Sequence, residues 1–277
     1  MGMRIATNMA AISAQRSMTT SQREIQRSMA QLASGNRITK SADDAAGLAI
    51  SENLKSSIRS YAQANRNAND GISLIQTAEG GLGEISNILT RMRELGIQSA
   101  SDTVSDKERL MVDKEVQQLK AEVQRIAVTT KFGNQHLIDG SGADFDFQVG
   151  IQNDPEADRI SFDSSKTNAT ATALNISDFD FTTKSGAQEA LSVLDQSQSE
   201  VNGFRATMGA LQNRLNSTID NSNVMYENLS AANSRIRDTD VAQAAADSTK
   251  NNILLQASTA TLAQANQIPG MALKLIG

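Results

Sequence analysis

The sequence has no cysteine, no tryptophan and a single histidine among its 277 residues. Without cysteine, neither a disulfide framework nor a thiolate metal site is possible. The one histidine, His136, cannot supply a usual zinc site by itself. We therefore predict a chain that needs no metal and no cofactor.

Long apolar runs and an excess of basic charge are also missing. No stretch approaches the ~20 apolar residues of a membrane span. The N-terminal run MGMRIATNMAAISAQ has no continuous apolar core, so no cleaved secretory signal is expected. The net charge of −5 argues against nucleic-acid binding, which selects a basic face.

Signatures of catalysis are absent as well. No His-Glu-x-x-His sequence occurs. Three glycines at 80–83 lack the preceding strand and the following Lys-Ser/Thr of a phosphate-binding loop. Catalytic carboxylate pairs stay open from sequence alone, yet no segment is predicted to form a cleft. We predict a structural protein without catalytic residues.

One long heptad pattern dominates what is present, from about residue 187 to 236. Apolar or small residues recur there every third and then fourth position, which is the spacing of a helix laid along partner helices. No proline lies between Pro155 and Pro269, so about fifty residues can form a rod of roughly 75 Å. The predicted seam of this rod includes Leu194, Val201, Phe204, Met208, Leu211, Leu215, Met225 and Leu229.

Other segments supply candidate partners for this rod. Helical periodicity predicts a second long helix over about 42–100, weakened by the glycines at 80–83, and a third helix that Ser105 caps, with Glu108 in the capping-box position. Residues 131–142 are expected to form a loop because of their glycines and polar side chains. The strict alternation at 145–151 and 159–162 predicts an antiparallel hairpin.

Both ends carry long, weakly amphipathic segments, at about 5–32 and 238–268. Their apolar positions are sparse, so each segment would be marginal as an isolated helix. Pro269 and Gly270 are expected to stop the second of them. We predict a mainly α fold, a long antiparallel helical hairpin or coiled-coil rod, with a small β-hairpin region at about 140–182.

Two ordered runs carry a family resemblance. QLASGNRITKSADDAAGLAISENLKSSIRS (31–60) is similar to the N-terminal region of bacterial flagellins, and RIRDTDVAQAAADSTKNNILLQASTATLAQANQIPGMAL (235–273) resembles their C-terminal region. The resemblance covers about 1–140 and 186–277. Only about 45 residues lie between the two arms, which implies a minimal flagellin without large outer domains.

The resemblance implies a structural subunit that polymerises through its terminal helices into the flagellar filament, for motility. It implies inner-tube segments at 1–41 and 236–277 that flank a rod at 42–235. The alternative is a hook–filament junction protein, which shares the terminal helices. The inner-tube assembly residues would be Ile5, Met9, Ile12, Ile25, Leu32, Ile253, Leu254 and Leu262.

The same resemblance implies partners and a location. The subunit would leave the cell unfolded through a type III export channel and lie in an extracellular filament, bare or beneath a membrane sheath. Expected partners are other copies of the chain, sister flagellins, an export chaperone at about 238–277, and the filament cap and hook-associated proteins.

TRMRELGIQ (90–98) resembles the patch by which Toll-like innate receptors detect flagellins. Arg91 and Leu95, with Glu115 on the neighbouring helix, would be the contact residues, although Thr90 stands where relatives usually have Gln. The competing hypothesis is that Arg91, Arg93 and Glu94 serve packing and ion pairs at the subunit interface.

Overall fold

The computed structural model describes residues 7–276, and the side chains of residues 7–267. Helices account for most of the described chain, and two short antiparallel hairpins interrupt them, so the predicted fold class is confirmed. The elements are α1 (Met9–Ser34), α2 (Ala45–Ser99), α3 (Asp106–Thr129), β1 (Lys131–Phe132), β2 (Gln135–His136), β3 (Asp144–Gln148), β4 (Arg159–Asp163), a 3-10 turn (Ser164–Lys166), α4 (Lys184–Arg237) and α5 (Val241–Ile276).

Helix α2 runs through the glycines at 80–83 as one continuous helix, in agreement with the predicted helix over about 42–100. A Cβ on Gly81 would lie 2.6 Å from the Thr130 hydroxyl oxygen, so close packing explains that glycine. Two local expectations need correction. Helix α5 continues past Pro269, because a proline removes one helical hydrogen bond and need not end the helix. The expected loop at 131–142 contains the short β1–β2 hairpin.

The chain divides into two compact units, one of Met1–Ile58 with Asn228–Gly277 and one of Arg59–Glu227. These units are called the terminal unit and the rod unit below. The terminal unit holds α1, α5 and the adjoining ends of α2 and α4. The division into an inner-tube segment 1–41, a rod 42–235 and a second inner-tube segment 236–277 stays a prediction.

The rod unit is built on antiparallel contacts between α2 and α4. The Arg93 guanidinium donates to Asp195 at 2.6 Å, and the Asn65 amide donates to Asn223 at 2.7 Å. Residue numbers therefore increase along α2 in the direction in which they decrease along α4, so the two helices are antiparallel. Large buried side chains of both helices meet those of α3 and the β3–β4 hairpin in one core, which includes Ile75, Leu82, Ile85, Leu89, Met92, Val116, Val123, Phe162 and Leu194. Every residue of that core lies between positions 68 and 215.

Helix α3 begins as the sequence predicts. A Glu108 carboxylate oxygen accepts the backbone N–H of Ser105 at 2.7 Å, which completes one half of a capping box. That hydrogen bond lowers the pKa of Glu108.

The β3–β4 hairpin follows the predicted alternation. Phe145 pairs with Phe162, and their rings stack with centroids 6.0 Å apart. The Phe147 ring packs over Gly71 of α2, where a Cβ would approach it to 3.0 Å. The hairpin therefore sits with its apolar face on the helices.

A buried lysine of α3 holds the irregular segment that precedes α4. The Lys120 ammonium donates to the carbonyl oxygens of Ser177 and Phe179 and lies 4.0 Å from the centre of the Phe179 ring. Burial lowers the pKa of Lys120, while the nearby Asp113 opposes that shift. The cation thus satisfies two carbonyl groups that have no helix or sheet to join.

We expect Lys120→Met to destabilise the rod unit by about 1–3 kcal/mol, because two carbonyls lose their donor while the packed stem is kept. Urea denaturation followed by circular dichroism measures the change. Lys114→Met, at an exposed position of the same helix, is the matched control and should leave the midpoint unchanged. Equal midpoints for the two variants would contradict the role assigned to Lys120.

Candidate assembly surface

Helices α1 and α5 pack against each other within the terminal unit. The Asn8 side chain caps α1 by accepting from the Ala11 N–H at 3.1 Å, and its amide donates to the Ala265 carbonyl at 2.8 Å. At the other end, Gly35 takes a left-handed conformation with φ 69° and donates its N–H to the Gln31 carbonyl. Both ends of α1 are therefore defined by specific hydrogen bonds.

The fully buried residues of this helix pair are small. On α1 they are Ala14, Ser21 and Ser28, spaced seven apart. On the described part of α5 they are Ala244, Ser248 and Ala265. Half-buried larger side chains, such as Ile25 and Leu32, alternate with the small ones at helical spacing. Because alanine and serine bury little apolar area, the pair leaves much of its apolar surface uncovered.

Several large apolar side chains of the pair are exposed on its outer faces. Met9 is 67% exposed and Ile253 is 60% exposed. Others with substantial exposure are Ile12, Met29, Val241 and Leu254. Ile25, Leu32 and Leu262 are half-buried. Ile5, the remaining predicted assembly residue, lies outside the described residues.

The buried small residues of this contact are not among the predicted assembly residues, which are all large and apolar. The signal was present as the seven-residue spacing of Ala14, Ser21 and Ser28.

The predicted rod seam on α4 is mostly buried in the rod unit. Leu194, Val201, Met208, Leu211 and Leu215 are buried and belong to the core. Phe204 packs half-buried against it. Nearer the end of α4, Met225 is 44% exposed, and Leu229, in the terminal unit, is half-buried. Fewer side chains of the same molecule cover Met225 than cover the earlier seam residues, so its apolar surface is exposed to solvent.

The receptor-like patch is brought together only in part. The Arg91 guanidinium donates to Glu115 at 3.0 Å and to Glu94 at 3.1 Å, and these hydrogen bonds, the Glu115 one foremost, raise the pKa of Arg91. Arg91 and Glu115 are exposed, so this pair is accessible. Leu95 is only 3% exposed and packs inside the core. Its side chain therefore supports the patch from beneath.

No arrangement of three or more histidine or acidic side chains suited to a metal ion occurs in the described part of the chain. Over the same residues, no helix combines the length and the apolar character that a bilayer crossing requires.

Two family models account for most of the sequence. The bacterial flagellin N-terminal helical region matches residues 5–143, and the bacterial flagellin C-terminal helical region matches residues 191–276. The chain belongs to the bacterial flagellin family. This confirms the family resemblance, and the family is one of structural proteins.

Full-length relatives support the assignment. A flagellin of Halalkalibacterium halodurans is 44% identical over 97% of this chain and 98% of its own. The flagellin of Bacillus subtilis is 38% identical over 99% of this chain and 100% of its own. This flagellin-family chain is therefore about as long as compact members of the family.

A solved structure agrees. The crystal structure of Bacillus cereus flagellin superposes with a TM-score of 0.51 at 31% identity, covering 57% of this chain and 88% of that one. None of these similarities favours the hook–filament junction protein over a filament subunit.

Proposed function

We propose that this chain is a structural subunit that polymerises through its terminal helices into the filament of the bacterial flagellum. The observation that carries the proposal is the set of exposed large apolar side chains along both helices of the α1–α5 pair. Fully burying one such large side chain contributes about 1.5–3 kcal/mol. Several of them gain that energy only when neighbouring copies cover the outer faces.

The same surface explains why other copies of the chain are the expected partner. The outward residues occur on both helices and along their length, at Met9, Ile12 and Met29 on α1 and at Ile253 and Leu254 on α5. A single small ligand would cover one of these positions, whereas a tube of identical helix pairs covers all of them. Ile25, Leu32 and Leu262 are the half-buried members of the same assembly set.

Export and location follow from family membership. The subunit is exported through a type III channel and works outside the cell, bare or beneath a membrane sheath. An export chaperone binds at about 238–277, where the outward apolar residues of α5 need cover before assembly. Sister flagellins, the filament cap and hook-associated proteins are its other partners.

Recognition by a Toll-like innate receptor rests on the accessible Arg91–Glu115 pair. Leu95 acts in this proposal by holding Arg91 in place, since its own side chain is buried. The same pair serves packing between subunits in the competing hypothesis.

The polymerisation surface is tested with Met9→Ser combined with Ile253→Ser. We expect the critical concentration for seeded filament growth to rise by roughly 30-fold or more, because two outward apolar side chains lose their burial against neighbouring copies. Electron microscopy and sedimentation after seeding measure the polymer.

The matched control is Ser21→Ala, a substitution at a buried position on the inward face of α1. This variant leaves every outward apolar side chain in place, so it should polymerise like the unmodified chain. Normal growth by the Met9→Ser/Ile253→Ser variant would contradict the outward surface as the site of assembly.

A further inference from the structure

The two connectors of the terminal unit lie side by side. One joins α1 to α2 and the other joins α4 to α5, and Asn36 forms an antiparallel bridge with Asp238. The Arg37 N–H donates to the Arg237 carbonyl at 2.6 Å, and the Thr239 N–H donates to the Gly35 carbonyl at 2.9 Å. Two backbone hydrogen bonds therefore tie positions about two hundred residues apart in sequence.

The Arg37 side chain reinforces this crossing. Its guanidinium reaches the Ile236 carbonyl through Nε at 3.2 Å and Nη2 at 2.7 Å. The Arg37 carbonyl accepts from the Gln31 amide at 2.9 Å, so the residue is held to α1 as well. Ile38, the next residue, is only 2% exposed and anchors the connector beneath.

A cluster of polar contacts stiffens the rest of the first connector. The Asp43 carboxylate accepts the hydroxyl of Thr39 at 2.9 Å and the N–H of Lys40 at 3.0 Å. Arg27 of α1 lies 3.5 Å from the same carboxylate. The turn between α1 and α2 is thereby fixed to α1 by two contacts, one from Gln31 to Arg37 and one from Arg27 to Asp43.

The fully buried residues of the α1–α5 contact are alanines and serines, whose short side chains discriminate poorly between alignments. The larger Ile25 and Leu32 on the same face are only half-buried, so the contact by itself constrains the register less than a seam of fully buried large residues would. Each residue of slip turns a helix by about 100° relative to its partner. A slip would therefore move Ile253 and Leu254 away from the outer face.

We propose that residues 35–38 and 236–239 form a register latch, in which Arg37 is the positioning residue that aligns α5 on α1 for assembly. The Asn8–Ala265 hydrogen bond at the far end of the pair agrees with the latch alignment to within one residue. The latch rests on the proposed polymerisation, since it fixes which side chains face the neighbouring copies.

The test starts from Arg37→Ala, whose side chain is half exposed and whose loss should leave the chain folded. We expect the critical concentration for seeded filament growth to rise about ten-fold, because the guanidinium contacts with Ile236 are lost. Polymerisation of the Arg37→Ala variant at the normal critical concentration would overturn the latch.

A disulfide across the latch should rescue the growth defect of the Arg37→Ala variant. The bridge places Asn36 and Asp238 in an antiparallel pair, whose Cα separation of about 4.5–5.5 Å suits a disulfide. Since the chain has no native cysteine, Asn36→Cys/Asp238→Cys forms one defined bond. Oxidation should restore growth of the Arg37→Ala background to within about two-fold of the oxidised double-cysteine variant, and reduction should remove the rescue. A defect that persists after oxidation overturns the proposal, because Arg37 then acts on a neighbouring subunit.

The rate of disulfide formation reports the alignment of α5 on α1 without relying on filament growth. Asn36→Cys/Asp238→Cys should oxidise at least ten-fold faster than Asn36→Cys/Gln243→Cys, whose second cysteine lies five residues further along the chain, in the first turn of α5. Similar rates for the two pairs would overturn the latch. If the unmodified chain forms no filaments while the first pair oxidises selectively, the polymerisation proposal fails and the latch stands.

Discussion

A chain that lacks residues 1–32 is expected to remain folded in its rod unit and to form no filaments. The deletion removes almost all of α1, and with it one half of the α1–α5 pair and the outward Met9, Ile12 and Met29. It removes no member of the rod core, all of which lies between positions 68 and 215. Seeded growth should fall below detection, while helical circular dichroism should drop by no more than the combined contribution of α1 and α5, because α5 loses the helix it packs against.

Deleting residues 238–277 should likewise abolish filament growth, since it removes α5 and residues 238 and 239 of the latch. A useful control is to shorten the exposed turn between β3 and β4, at 152–157, which belongs to neither terminal helix. That variant should still add to seeds. Filaments from either truncated chain would contradict the assignment of the ends as the assembly segments.

Periodicity predicted the rod well because burial there depends on large side chains. Leu194, Val201, Met208 and Leu215 recur at heptad spacing, and each is buried in the core of the rod unit. The same is true of the hairpin, where alternation placed Phe145 and Phe147 towards the helices. A side chain with much apolar area leaves a strong signal, because its burial dominates the local free energy.

The terminal unit could not be predicted in the same way. Its internal contact uses Ala14, Ser21 and Ser28, whose side chains contribute little apolar area and so resemble surface residues in sequence. The large residues that stand out, such as Ile253, face away from that contact. Their expected burial depends on other copies of the chain.

The Asn36–Asp238 crossing was also out of reach of sequence patterns. It depends on backbone hydrogen bonds between connectors that lie about two hundred residues apart, and such bonds leave no periodic trace. Glycine is a common residue just after a helix, and the left-handed Gly35 ends α1 in this way. Nothing in the local sequence identified the segment that Arg37 would meet.

Leu215→Asp should cause a large loss of stability in the rod unit. Leu215 is fully buried in the core of the rod unit. The substitution removes its apolar burial and places an unpaired carboxylate there, at a combined cost of about 3–5 kcal/mol. For a unit of this size, such a loss lowers the melting temperature by roughly 10 °C or more.

Thermal unfolding by circular dichroism or calorimetry measures the effect on the unassembled subunit. Val224→Asp is the matched control, because it introduces the same carboxylate on the same helix at a side chain that is 55% exposed. It should change the free energy of unfolding by no more than about 0.5 kcal/mol. Equal melting temperatures for the two variants would contradict the buried seam, since the carboxylate at 215 would then have access to water that the packed core denies it.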